Sequence, residues 1–192
     1  MSVKKSNEIT VRVTCSDEEL IFRLKEKGFQ EGRKFTLDDY YFIPNDIDIT
    51  KLSSREILSK AVIIRYIVDE GKVIQVITYK EKNIDENGEI LNQRAINCYV
   101  FSIEEAKSLL EAIGYYEIMN IKESDVVYYK DDFELAIKFI TNSDTLMEIE
   151  TDSVYDTIDK LKNKLNQLEL PIDKNTYFVK KAEEQLDKIL KH

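Results

Sequence analysis

The stretch Glu8-Ile9-Thr10-Val11-Arg12 alternates polar and apolar residues, and that period of two makes it a strand with one apolar face. Its other face carries a carboxylate, a hydroxyl and a guanidinium in a row. The pattern returns at Leu146-Met147-Glu148-Ile149-Glu150, where Glu148 and Glu150 share a face by the same alternation. Two strands with carboxylates on one face, separated by strands carrying single cations, predict a cavity lined by charge. At 192 residues with 43% hydrophobic content, the chain has apolar material for one large domain around such a cavity.

Between these strands the punctuation is clear. Ser16-Asp17-Glu18-Glu19 opens a helix that Gly28 stops, and Ser102-Ile103-Glu104-Glu105 opens another that ends at Gly114. Residues 34–44 form an aromatic-rich strand ending at Pro44, and a helical turn is expected near 53–59. Strands 61–68 and 73–82 are joined by the hairpin turn Asp69-Glu70-Gly71-Lys72. The turn Asp85-Glu86-Asn87-Gly88 leads into a strand over 90–101. Further strands are expected at 115–121, 126–129 and 133–141. From Asp152 the period becomes helical, with Val154, Ile158, Leu161, Leu165 and Leu168 on one stripe. Pro171 breaks that helix, and a last one is expected over roughly 175–190. The expected architecture is α+β: a closed or nearly closed antiparallel β-barrel of eight strands with flanking helices. Residues 1–150 supply the barrel with two inserted helices, and 151–192 supply helices packed on it, in a single domain.

Composition narrows the function. Acidic residues outnumber basic ones, 37 to 28, for a net charge of −9, which argues against a nucleic-acid or anionic-membrane surface while leaving room for a small anion site. Two distant cysteines, Cys15 and Cys98, point to a reducing compartment rather than a disulfide framework. No stretch approaches the roughly 20 apolar residues of a membrane helix, and no apolar run follows the N-terminal lysines, so a cytoplasmic protein is expected. The single histidine, His192, is terminal, which argues against catalysis through a histidine-activated serine or cysteine. No glycine-rich phosphate loop exists, so phosphate binding would have to come from side chains.

Taken in order, these stretches resemble the CYTH superfamily, which includes class IV adenylate cyclases, thiamine triphosphatases and triphosphate tunnel metalloenzymes. Glu8-Ile9-Thr10-Val11-Arg12 stands for the family's opening Glu-x-Glu-x-Lys. Asp39-Tyr40-Tyr41-Phe42 is similar to its Asp-x-Tyr-Phe segment, Ala61-Val62-Ile63-Ile64-Arg65 to its Ala-Leu-Arg-x-Arg strand, and Ile77-Thr78-Tyr79-Lys80 to its Leu-Thr-Tyr-Lys strand. Arg94 and Lys122 take the places of cations in later strands, Leu146-Met147-Glu148-Ile149-Glu150 resembles Phe-x-Glu-Ile-Glu, and Thr176-Tyr177 sits where the family often has Ser-Tyr.

The resemblance implies a tunnel in which Arg12, Arg65, Lys80, Arg94 and Lys122, with Lys82 beside Lys80, bind the phosphates of a small ligand: triphosphate, ATP or thiamine triphosphate. It implies that Glu8, Glu148 and Glu150 are the catalytic and metal-side carboxylates and hold Mg²⁺ or Mn²⁺. The implied activity is metal-dependent triphosphate hydrolysis or class IV-like cyclisation of ATP. The chain also departs from the pattern. Thr10, Ile63 and Ser124 replace charged family residues, Ile96 and Cys98 stand at places usually acidic, and Lys138 takes the place of an aspartate. Those departures imply the alternative, a degenerate CYTH module that binds or senses a phosphorylated ligand without turnover.

Overall fold

In a computed structural model, residues 8–84 and 90–191 are described, the side chains of 82–84 and 90–94 excepted. The expected turn at 85–88 and His192 lie outside them. The chain runs β1 (Glu8–Arg12), α1 (Asp17–Glu26), β2 (Gln30–Pro44), α2 (Ser54–Leu58), β3 (Val62–Asp69), β4 (Lys72–Ile84), β5 (Ile90–Tyr99), α3 (Ile103–Ala112), β6 (Tyr115–Lys130), β7 (Phe133–Ile140), β8 (Leu146–Glu150), α4 (Ile158–Leu168) and α5 (Lys181–Leu190). Local chemistry accounts for the boundaries. The hydroxyls of Ser16, Ser53, Ser102 and Thr157 each accept a hydrogen bond from the backbone N–H three residues on, satisfying donors that a helix start leaves open. The β3–β4 hairpin turns on Glu70 and Gly71 at φ 48° and 81°, the pair of left-handed residues that a tight hairpin requires.

The strands form one eight-stranded sheet in the order β1-β8-β7-β6-β2-β3-β4-β5. With helices beside an antiparallel sheet, the class is α+β, as expected. β1 has a neighbour on its other edge as well. Thr10 N–H donates to the Tyr177 carbonyl at 3.1 Å and Val179 N–H to the Thr10 carbonyl at 2.9 Å, while Thr14 N–H and the Arg12 carbonyl bond to Pro171 and Asp173. The stretch 171–179 therefore lies against β1, and the helix expected from 175 starts only at Lys181. Backbone pairing with β1, with Phe178 bridged to Thr10, holds this stretch out of a helix. The two strands expected at 115–121 and 126–129 are one continuous β6, whose polar stretch Lys122-Glu123-Ser124-Asp125 stays in the ladder.

The chain divides into two compact units. The first comprises residues up to 35 with 123–180, the second 36–122 with 181 onward, so the two C-terminal helices go to different units. In the first unit Ile9, Val11, Met147, Ile149, Leu135 and Ile137 leave the sheet on one face and meet Leu20 and Leu24 of α1 and Leu161 and Leu165 of α4. Lys25 of α1 is exposed. Each fully buried leucine or isoleucine there contributes roughly 1.5–3 kcal/mol. In the second unit α3 places Ala106 and Leu110 on Phe42 and Ile64, and α5 meets α2 through Arg55–Glu183 at 3.2 Å and Ser54–Asp187. Among the described residues, no helix is long and apolar enough to cross a membrane.

Candidate functional site

In the first unit, strand alternation sends Ile9, Val11, Met147 and Ile149 into the core and therefore presents Glu8, Thr10, Arg12, Glu148 and Glu150 on the opposite face, with Leu146 among them. Register aligns them: Glu8 lies across from Glu150, Thr10 from Glu148 and Arg12 from Leu146. β7 continues the rows with Ala136 beside Glu148 and Lys138 beside Leu146, and β6 adds Asp125 across from Lys138. One carboxylate oxygen from each of Glu8, Glu148 and Glu150 lies within 4.8 Å of the others. The three residues singled out as metal-side carboxylates are thus brought together by pairing of the first and last strands.

Lys138 is set into the same face. Its Nζ is 3.2 Å from Glu148 Oε1 and 3.3 Å from Asp125 Oδ2. Its side chain is 15% exposed and that of Asp125 only 1%. Burial alone would pull the ammonium toward its neutral form. Glu148, Asp125 and Glu123 outweigh that and raise its pKa above the ordinary lysine value. Lys138 therefore stays charged at neutral pH. Arg12, at the end of the same row, donates from Nε to Asp144 Oδ2 at 2.6 Å. Three converging carboxylates are a hard-oxygen set that suits Mg²⁺ or Mn²⁺. An ion taken there would share Glu148 with the Lys138 ammonium.

The second unit holds Arg65, Lys80 and Lys122. Arg65 meets Asp39 in a two-point fork, Nε to Oδ1 at 2.7 Å and Nη2 to Oδ2 at 2.6 Å. Asp39 is 1% exposed against 24% for Arg65, so a buried acid fixes the plane of a partly accessible guanidinium. Val76 is opposite Arg65 in register, which puts Thr78 and Lys80 on the Arg65 face. The Thr78 hydroxyl donates to Asn97 Oδ1 at 2.9 Å.

Lys122 does not join them. It is 59% exposed and lies 3.5 Å from Asp38. Asp38 and Asp39 are consecutive in β2 and point to opposite faces, so Lys122 and Arg65 serve opposite sides of the sheet. Within β6 the same alternation buries Met119 and Ile121 and exposes Asn120 and Lys122. This parity sets Lys122, expected among the phosphate-side cations, on the face opposite Arg65. On its own face Asp38 also accepts from the Tyr40 hydroxyl at 2.9 Å. Burial, then that bond to Asp38, pushes the Tyr40 phenol up to about 12. Arg94 lies across from Glu81 by backbone register; its side chain and that of Lys82 are outside the described residues.

Two residues matter here that sequence reasoning left without a role. Asp125 lies in the polar stretch between the strands expected at 115–121 and 126–129, and Asp39 in the segment that resembles Asp-x-Tyr-Phe. An acid in the buried phase of a strand was the signal available for both.

No protein-family model matches the sequence, and no curated protein does. Solved structures do. The PH1819 protein from Pyrococcus horikoshii matches with a TM-score of 0.68 at 19% identity, over 96% of this chain and 99% of that one. A candidate adenylate cyclase from Vibrio parahaemolyticus matches with a TM-score of 0.61 at 15% identity, over 95% and 97%. A candidate adenylyl cyclase from Hippeastrum, described as having a dominant triphosphatase activity, matches with a TM-score of 0.57 at 14% identity, over 90% of each chain. The fold is shared with these structures. Identities this low speak for the shared architecture alone, and the chemistry must be argued from the side chains of this chain.

Proposed function

We propose that this CYTH-type chain binds a small phosphorylated ligand of the triphosphate class and hydrolyses it with a divalent metal ion. The observation that carries the reading is the convergence of Glu8, Glu148 and Glu150 within 4.8 Å on one polar face. Bound there, Mg²⁺ or Mn²⁺ would supply charge neutralisation at phosphate oxygens and a more acidic water. Arg65 and Lys80 are assigned to phosphate oxygens. The Asp39 fork holds the guanidinium in one orientation, which lowers the ordering cost of a planar contact with an oxyanion. Arg12 and Arg94 belong to the same assignment, and closure of the sheet into a tunnel is part of the proposal. The triphosphatase activity described for the Hippeastrum protein supports hydrolysis over cyclisation. The free thiols of Cys15 and Cys98 are in keeping with the cytoplasmic setting proposed here.

One observation favours a second reading, binding without turnover: Lys138 already engages Glu148. Release of phosphate and pyrophosphate from inorganic triphosphate, ATP and thiamine triphosphate, with Mg²⁺ and with Mn²⁺, decides between them. Hydrolysis predicts phosphate release that Glu148→Ala abolishes, whereas pyrophosphate released from ATP with a cyclic product means cyclisation. Silence across the panel, with metal-free thermal stabilisation by triphosphate, selects binding alone.

A further inference from the structure

The face that carries Glu8, Glu148 and Glu150 also carries a cation that the chain supplies itself. Lys138 extends from β7, between β6 and β8. Asp125 is directly across from it, and Glu148 lies one row along. Its ammonium stands 3.3 Å from the first and 3.2 Å from the second. Asp125 is closed off from solvent, so its charge must be met by protein groups or a bound ion. The ammonium meets it much as an ion would, shared between oxygens contributed by two strands.

It differs from a metal ion in three respects that matter. It carries one charge, it is tethered, and no chelator can remove it. Glu148 has two allegiances, because it belongs both to the Glu8–Glu148–Glu150 cluster and to the Lys138 pair. A divalent ion entering that cluster meets a like charge on a carboxylate it must share.

We propose that Lys138 is a built-in cation that fills the Asp125–Glu148 position and so limits this face to a single, weakened divalent ion. The inference rests on the proposed function only for the metal at Glu8, Glu148 and Glu150, and it is read by metal binding rather than turnover. The experiment is a Mn²⁺ titration of chelator-treated protein, following the paramagnetic resonance signal of free Mn²⁺, with Lys138→Met beside the unaltered chain. The variant should bind one more ion, or hold the first at least tenfold more tightly. It should also melt earlier than the unaltered chain without metal and recover on adding Mn²⁺. The double variant Asp125→Asn with Lys138→Met, which removes both charges of the pair, should lose the extra ion again.

Equal stoichiometry and affinity in Lys138→Met and the unaltered chain overturn the proposal. A Lys138→Met chain that stays unfolded with and without Mn²⁺ overturns it too, because a metal ion should be able to replace the ammonium. The two readings fail separately. An unaltered chain that binds no Mn²⁺ beside a variant that does removes metal-dependent hydrolysis and keeps Lys138 in this role. Turnover in the unaltered chain, with Mn²⁺ binding unmoved by Lys138→Met, does the reverse.

Discussion

Lys138 in one unit and Asp39 in the other pose the same electrostatic problem and receive opposite solutions. Each is a charged group largely removed from water. Lys138 is shared by two carboxylates on a face that also carries Glu8 and Glu150, so negative charge is left over. Asp39 is matched by a single guanidinium in a two-point fork, so that pair sums to zero. The difference separates the two proposed roles. A surplus of carboxylates attracts cations. A balanced pair only orients Arg65, and attraction for an anion there depends on adding Lys80.

The sharpest way to break this comparison is Asp39→Ala, which leaves the guanidinium of Arg65 without the acid that holds it. Removing one member of a buried pair costs about 3–5 kcal/mol, so the thermal midpoint should fall by roughly 10 °C. A fall of only about 2 °C would mean the fork is ornamental. Next in size is the anion itself. At triphosphate near 100 times its dissociation constant, linkage gives about 2.7 kcal/mol of stabilisation. Arg65→Ala with Lys80→Ala should remove most of that in metal-free melts, whereas Glu148→Ala should leave it standing. If Glu148→Ala removes it equally, the division of labour between the units is wrong.

Lys122→Ala should move neither the melt, beyond about 0.5 kcal/mol, nor the triphosphate shift, because its side chain is on the Asp38 face. The smallest effect is on Tyr40. Its folded pKa of about 12 lies above the value near 10 of an unfolded chain. The stability it contributes is therefore complete below pH 10 and lost as pH rises toward 12. Ultraviolet titration should show one tyrosine ionising late, and Asp38→Asn should bring it earlier.

How much of this was legible depended on whether a charged residue obeyed strand parity. Glu8, Glu148 and Glu150 alternate with isoleucines, so their common face followed from the sequence, and the structure pairs their strands. Lys122 sits among the same polar neighbours as Glu123 and Asp125 but one step out of phase. That step reverses its face, and no composition argument shows it. Glu123 and Asp125 are buried in a strand, with Lys138 among their charges; without that partner in view, the stretch reads as a gap between two strands. Tyr177-Phe178-Val179 lies in the stretch expected to be helical, and its hydrogen bonds to Thr10 hold it against β1 instead. The departures at Thr10 and Lys138 were visible from the start. The role of Lys138 became visible only with Asp125 beside it.

The pairing of β1 also has a consequence in time. Its neighbours are β8 on one side and 171–179 on the other, so the strand bearing Glu8 leaves the ribosome long before either exists. A nascent chain can seat Arg65 on Asp39 from a continuous middle segment, while its first strand waits with both edges bare. The acidic triad is then among the last features to assemble. A chain interrupted before Glu148 is made would keep the guanidinium fork and have no completed place for a metal.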